Sequence, residues 1–520
     1  MLSCASSSFA SSSSRFSAVA STSSPSSSSY SSIRREHQQN HHRGNHFSPK
    51  AKRYSSSARH RRERATPRRI SAAASTDGVD LTRSGKKRVV ITGIGAVTAL
   101  GHDVDEFYSR LLDGESAIKP ITKFDCTNIT TTFAGEIRNF DGCDGLVPPR
   151  MVKRADPYIS FMIAAAKKAL IHAGLDMRDG ENAEKFNELD KQRCGVVIGS
   201  AMGGMHSFQQ ANYELWTPGR GSKKMNPFCI PFAITNMGGA LVAMDLKFMG
   251  PNYSIAAACA TGNFCMMNAM DHIRNGECDL CLAGASDAAV LSSGIAGFAA
   301  SKALSTRNDD PEGASRPWDK NRDGFVMGEG CGVLCLESLE SALARDAPIL
   351  AEILGGAATC DAHHMTEPLP NGAGVRLAIG RALKNAGVLA EDVNYINAHA
   401  TSTPAGDLAE LRTITDIFGE NSELKINSTK SLIGHLLGAA SAVEAVAVIK
   451  AIGTGELHPN KNLEDPDEGV RTDLLVGTTK EKLKVKVALS NSFGFGGHNS
   501  AVLFAAYDAK ADTFCRAASA

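Results

Sequence analysis

The sequence predicts an α/β protein built from a duplicated unit, and three observations carry that expectation. Short β-branched runs alternate with longer segments of helical periodicity, the pattern of sheets layered with helices. A faint internal repeat joins two distant segments. Cys259 begins a helical stretch that closes on Gly276-Glu277, and Gly438 begins another that closes on Gly455-Glu456, so both offsets are 17 residues. Finally, 520 residues exceed what one small core organises and fit two domains or one double-core unit.

In chain order, residues 1–76 hold eleven Arg and two Lys against only Glu36 and Glu63, and are rich in Ser. Such a segment has too few apolar residues for a core. Serine-rich, arginine-rich and acid-poor is the composition of an organelle transit peptide, and the Ser content at the extreme N-terminus favours a plastid. A basic nucleic-acid-binding arm is the rival reading of the same charge. Processing is expected near "RRISAAAS", before the folded part starts at about Lys86. The surplus of eleven positive charges there leaves ten net negative charges on the remainder, since the whole chain carries +1.

From Lys87 the texture changes. "RVVITGIGAVTALG" reads as a buried strand entering a Gly-rich turn. Gly93 and Gly95 fit the first two glycines of a dinucleotide fingerprint, but Thr98 stands where the third belongs, so a nicotinamide site is disfavoured. Further strands are expected at "CGVVIGSAMGG", "DLCLAGASDAAV", "GVLCLESL", "NYINAHATST" and "VALSNSFGFGGHNSAVLFAAY". Helices are expected at "YISFMIAAAKKALIHAG" and "GVRLAIGRALKNAGV". Hydrophobic content of 42% with 21% charge is ordinary for a globular enzyme. No apolar stretch reaches the roughly 18–20 uncharged residues of a membrane span. Thirteen scattered cysteines are not a disulfide framework. Cys278-Asp-Leu-Cys281 has no second pair at zinc spacing, so reduced, buried thiols are the better reading.

The chemistry concentrates in three stretches. In "SIAAACATGNFC", Cys259 stands at an expected helix start among small residues, Ala256, Ala257, Ala258 and Ala260. A helix N-terminus favours the thiolate, and the alanines leave room for a substrate. A buried structural cysteine is the alternative. "NYINAHATSTPAGD" places His399 directly after a strand, and "INSTKSLIGHLLGAAS" places His435 likewise, five residues after Lys430. A lone histidine at a strand end is commonly structural; two in small-residue loops of an α/β protein fit packing poorly. In "SNSFGFGGHNS", Gly494, Gly496 and Gly497 allow a backbone turn whose N–H groups point at an oxyanion.

With these stretches assembled, the chain closely resembles the β-ketoacyl-[acyl-carrier-protein] synthases, in their plastid form. The resemblance runs from about Lys87 to Tyr507 through "CATGNFC", "SRPWDKNRDGFVMGEG", "CDAHHMTEP", "NAHATSTPAGD", "NSTKSLIGHLLGAA" and "NSFGFGGHNS". It implies a thiolase-like fold, a duplicated five-layer αβαβα arrangement, assembled as a homodimer. The N-terminal half would span 87–345 and carry the nucleophile. The C-terminal half would span 346–508 and carry both histidines, leaving 509–520 as a tail. The implied reaction is a decarboxylating condensation of malonyl and acyl groups delivered on acyl carrier protein by phosphopantetheine, through an acyl-cysteine at Cys259. The backbone N–H groups of Cys259 and Phe495 would form the oxyanion hole, and His399 and His435 would stabilise the enolate.

The resemblance extends to the surroundings. It implies Lys430 as a supporting lysine with Glu444 as its ion partner, Phe493 as a site aromatic, and Phe495 as the gate to the acyl pocket. Thr401 and Thr403 match pantetheine-binding hydroxyls, and Met202 falls where the acyl pocket is lined. Asn397, Glu410, Glu444, Ser490 and Asn491 match a buried monovalent-cation site, with no divalent metal or redox cofactor. An acidic carrier meeting an acidic chain needs a local basic patch. Arg150, Lys153 and Arg154 supply one, and Lys302 and Arg307 another; solvated surface charge is the alternative for both. No nucleic acid and no membrane span are expected. Two blocks depart from the plant pattern: Ala256-Ala257-Ala258 before the cysteine, and "SSGIAGF" from Ser292 to Phe298. They leave the catalytic residues intact and bear on chain length. "KKMNPFCIPFAITNMG" and "LLVGTTKEKL" look closer to the type II, long-chain-extending enzyme than to type I. A degradative thiolase would pair its cysteine with one His and a second Cys. A non-catalytic partner subunit would have lost the nucleophile.

Overall fold

A computed structural model describes residues 80–510, apart from Ser84 and Asp179. The expected transit peptide over 1–76 and the tail beyond residue 510 lie outside the described residues.

The strands of the two halves follow one plan. In the first half these are β1 (Val89–Val97), β2 (Cys194–Gly199), β3 (Asn252–Tyr253), β4 (Leu280–Asp287) and β5 (Gly330–Ser338). In the second they are β6 (Ala351–Cys360), β7 (Val393–Asn397), β8 (Lys425–Asn427), β9 (Val487–Gly494) and β10 (His498–Ala505). The sheet order is β1-β5-β4-β2-β3 in one half and β6-β10-β9-β7-β8 in the other. Counted within each half, both are first-fifth-fourth-second-third. The inner pairs β4/β2 and β9/β7 are parallel, and the fifth strands run antiparallel to their neighbours. The duplication expected from the 17-residue echo is therefore present throughout the topology. The halves meet edge to edge through β1 and β6, at Ile91↔Ala351 and Val90↔Glu352. Beside this short seam, the buried Glu352 carboxylate accepts from Arg88 Nη2 at 2.6 Å and from Arg83 Nε at 3.2 Å.

Helices fill three layers. Helix α1 (Pro157–His172) and helix α2 (Met237–Leu246) cover the outer face of the first sheet, with Ile159, Ala165 and Val242 packed against Val196 and Val333. Helix α3 (Thr261–Arg274) lies between the sheets with helix α6 (Ala440–Thr454), in a core that includes Met266, Met270, Val443 and Val446. Helix α4 (Ala373–Ala386) and helix α5 (Pro404–Phe418) cover the second sheet through Ile379, Ala382 and Leu411. The result is the αβαβα layering. The segment Leu437–Thr454 has the length and composition of a membrane span, but it is the largely buried central helix of this core.

Two readings need correction at this level. Gly93 and Gly95 do not form a turn; β1 runs straight through them. A Cβ at either would stand 2.0–2.1 Å from the carbonyl oxygens of Ala169 and Ala165, so these glycines let α1 lie close on β1. The last predicted strand is a hairpin, β9 and β10, reversing at Gly496 and Gly497 with φ of +91° and +76°. The C-x-x-C pair, Cys278 and Cys281, is buried in the central apolar core.

Candidate active site

The two central helices start beside each other, and the site forms there. Cys259 precedes α3 by two residues, with Ala260 as its N-cap. Thr261 Oγ1 accepts from the Ala257 N–H at 2.9 Å and donates to the Ala258 carbonyl at 2.7 Å. This pins Ala258 at φ +47°, a left-handed conformation costly for a residue with a Cβ. The equivalent of Ala258 in the second half, Leu437, sits at φ +54°, and both helices end on a left-handed glycine, Gly276 and Gly455. Ser492 and Ser441 hydroxyls donate to the Cys259 carbonyl at 2.8 and 3.4 Å, fixing the nucleophile from the second half.

The imidazoles arrive from β7 and from the loop after β8. His435 Nε2 lies 2.9 Å from Cys259 Sγ, and one ligating atom each from Cys259, His399 and His435 fall within 4.8 Å of one another. His399 directly follows β7, as expected; before His435 a helical turn, Lys430–Ile433, intervenes. The rings of His399 and His435 meet edge to face at 5.4 Å, and His399 meets Phe493 at 5.5 Å. Among the described residues neither buried Nδ1 has a hydrogen-bond partner. A proton on His435 Nε2 would face the Cys259 sulfur, whereas one on Nδ1 would find no acceptor among them. Burial first, and the Lys430 charge second, hold both imidazoles well below 6.5, so both are neutral.

The sulfur itself departs from expectation. Cys259 keeps part of its surface open, yet desolvation pushes its thiol up to about 12. Lys430 and the backbone N–H groups of Phe495 and Cys259 pull the other way and do not win. The resting thiol is therefore protonated rather than acidified by the helix start. The two N–H groups expected as an oxyanion hole are among the groups that favour the anion.

The surrounding residues divide into three groups. Lys430 and Glu444 form a buried, hydrogen-bonded ion pair behind the histidines. Glu410 accepts from the backbone N–H groups of His399 and Ala400 at 2.9 and 2.8 Å and from Asn491 Nδ2 at 3.2 Å, which aims His399. Asn397 and Ser490 face each other across β7 and β9. Thr401 and Thr403 hydroxyls stand 3.1 Å apart at the start of α5. Met202 packs with Phe298 on an apolar cluster containing Phe325, Met327 and Leu437. The Phe495 ring lies 6.4 Å from that of Phe298. Phe325, whose ring meets His435 at 5.2 Å, was not legible in the sequence as a site residue, nor was Asp287 below. Arg150, Lys153 and Arg154 are exposed on the short helix Pro149–Arg154, and Lys302 is exposed too. Arg307 differs: its guanidinium donates to the Asn321 carbonyl at 2.9 Å.

A thiol and two neutral imidazoles at the facing helix starts of a duplicated α/β frame define a condensing acyltransferase. The description "Beta-ketoacyl synthase, N-terminal domain" matches residues 86–342, and "Beta-ketoacyl synthase, C-terminal domain" matches 350–464. The chain belongs to the beta-ketoacyl synthase family. It is 58% identical over 81% of its length to 3-oxoacyl-[acyl-carrier-protein] synthase II, chloroplastic, of Arabidopsis thaliana, covering 76% of that protein. It is 52% identical over 84% of its length to synthase I, chloroplastic, of the same plant, covering 91% of it. Among solved structures, a beta-ketoacyl synthase from Burkholderia phymatum aligns at TM-score 0.73 and 30% identity, over 81% of this chain and all of that one. A type II PKS acyl-carrier protein in complex with its ketosynthase aligns equally well, at TM-score 0.73 and 30% identity over the same shares. The chain is a chloroplast enzyme, as its plant relatives are.

Proposed function

We propose that this enzyme condenses malonyl and acyl groups, both carried on acyl carrier protein, extending the acyl chain by two carbons in fatty-acid synthesis. The observation that carries the reading is the 2.9 Å approach of His435 Nε2 to the Cys259 sulfur, with His399 in the same group. Cys259 attacks the acyl thioester; its proton goes to the departing pantetheine thiol, and an acyl-cysteine remains. Malonyl thioester then loses CO2, and the electron pair of the broken C–C bond passes to its thioester oxygen. That enolate oxygen needs hydrogen-bond donors rather than a base. Two imidazoles held neutral are suited to donate there, from Nε2–H. The enolate carbon attacks the acyl-cysteine carbonyl, a C–C bond forms, and the N–H groups of Cys259 and Phe495 hold the oxyanion. Collapse expels the Cys259 sulfur, which regains a proton.

Thr401 and Thr403 are suited to receive the pantetheine arm, and the apolar cluster beneath Met202 and Phe298 to receive the acyl chain. Arg150, Lys153, Arg154 and Lys302 are exposed cations suited to an acidic carrier. A second copy of the chain is the occupant that fits the exposed apolar side chains Phe208, Trp216, Phe228, Ile230 and Met249 and the edge strand β3.

A buried monovalent cation also fits. Asn397 Oδ1, Glu444 Oε2, Ser490 Oγ and Asn491 Oδ1 are buried oxygens without a hydrogen-bond partner among the described residues. With Glu410 they make an all-oxygen donor set holding two carboxylates against the single charge of Lys430. When bound, such an ion supplies charge balance only. Melting temperature measured in potassium against a large organic cation tests it: a drop of several degrees on exchange is expected, and equal melting overturns the site.

The function itself is tested with purified enzyme, acyl carrier protein loaded with acyl groups of graded length, and malonyl carrier. Release of CO2 together with a product two carbons longer is expected. Thiolytic formation of acyl-CoA without elongation would overturn the reading.

A further inference from the structure

The steps above leave Asp287, a fully buried carboxylate at the end of β4, without a role. Its Oδ1 accepts from Ser200 Oγ at 2.6 Å and from the Met202 N–H at 2.9 Å. Its Oδ2 accepts from the Ala201 N–H at 3.1 Å and from the Gly438 N–H at 2.7 Å. Three donors thus come from the loop after β2, and the fourth from the second half. Gly438 is the counterpart of Cys259 in the internal repeat. A Cβ there would stand 2.6 Å from Oδ2 and 2.8 Å from the Ala201 Cβ, so the carboxylate occupies the place a side chain would need.

Both ends of this grip carry the wall of one apolar cluster. Met202 belongs to the held loop, and Leu437 directly precedes Gly438; both pack with Phe298, Phe325 and Ile295. Phe325 touches His435, and Phe298 faces Phe495, so the wall borders the residues around the sulfur. We propose that Asp287 is a positioning residue for substrate choice: one carboxylate ties Met202 to Leu437 and so fixes the depth of the acyl pocket. The inference rests on the condensation reading.

Two variants test this, each read in the full enzyme with carrier-bound acyl groups of graded length. Asp287→Asn is expected to lower kcat/KM for the best-accepted acyl length about tenfold, mostly through KM, as a positioning loss does. Shorter chains suffer less, which flattens the length profile. Ser200→Ala, which removes one of the four donors and keeps the carboxylate, flattens the profile to a smaller extent. A folded Asp287→Asn with the wild-type profile overturns the proposal. Should that variant not fold, an unchanged profile in Ser200→Ala does the same. Failure of wild-type enzyme to elongate any acyl group overturns the condensation reading instead.

Discussion

At Cys259, chemistry and electrostatics pull apart. The thiol is pushed up to about 12 by desolvation, while two backbone N–H groups and the Lys430 charge favour the anion. A sulfur so poised attacks only when a substrate carbonyl and departing thiolate are in place to take up its electrons and proton. Cys259→Ala is expected to abolish condensation, and Cys259→Gln, a neutral stand-in for the acylated side chain, to keep decarboxylating malonyl carrier; CO2 release without elongation is the measurement. His435→Ala removes an Nε2–H donor and is expected to lower the condensation rate by about 100- to 1,000-fold. Both imidazoles titrate well below 6.5 because burial and the Lys430 charge disfavour their cations. Their ring resonances followed by NMR in a pH series should show no midpoint at 6.5, and a midpoint there would mean that a ring protonates in the working range.

Among the elements, the central helices determine whether the sulfur and the imidazoles meet. Gly262 in α3 faces α6 so closely that a Cβ would stand 2.7 Å from the Ala442 N and the Ser441 Oγ. Gly262→Ala forces those helix starts apart and is expected to cost about 1–3 kcal/mol by overpacking, read from denaturant unfolding. Activity should fall further than that loss implies, since Ser441 also holds the Cys259 carbonyl. Much of this was legible in the sequence. The 17-residue echo located both helices, and glycines at both ends of the repeat stopped them where φ turns positive. Cys259, His399 and His435 were found because each is a reactive type set among small residues. The strand through Gly93 and Gly95 was misread as a turn because glycine there answers to a neighbouring helix, a contact no local pattern reports. The thiol's resistance to ionisation was missed for a similar reason: desolvation is set by distant chain, while the helix start is visible locally. Asp287 went unseen because "GASD" reads as an ordinary strand end, and its donors lie 85 to 151 positions away.

Across the described residues, the strands of the two halves join through a short seam between β1 and β6. Glu352 on that seam, buried with Arg83 and Arg88, compensates two cations at once. Glu352→Ala removes the buried carboxylate that both guanidiniums pair with and is expected to destabilise by about 3–5 kcal/mol, measured by thermal and denaturant unfolding. A change near zero would mean that other contacts at this edge carry the join. The identical strand order on either side of the seam gives the molecule two matching helix entrances with opposite occupations. One presents sulfur to a guest; the other is filled by an acid from the opposite half, and that plug shapes the room beside the working centre.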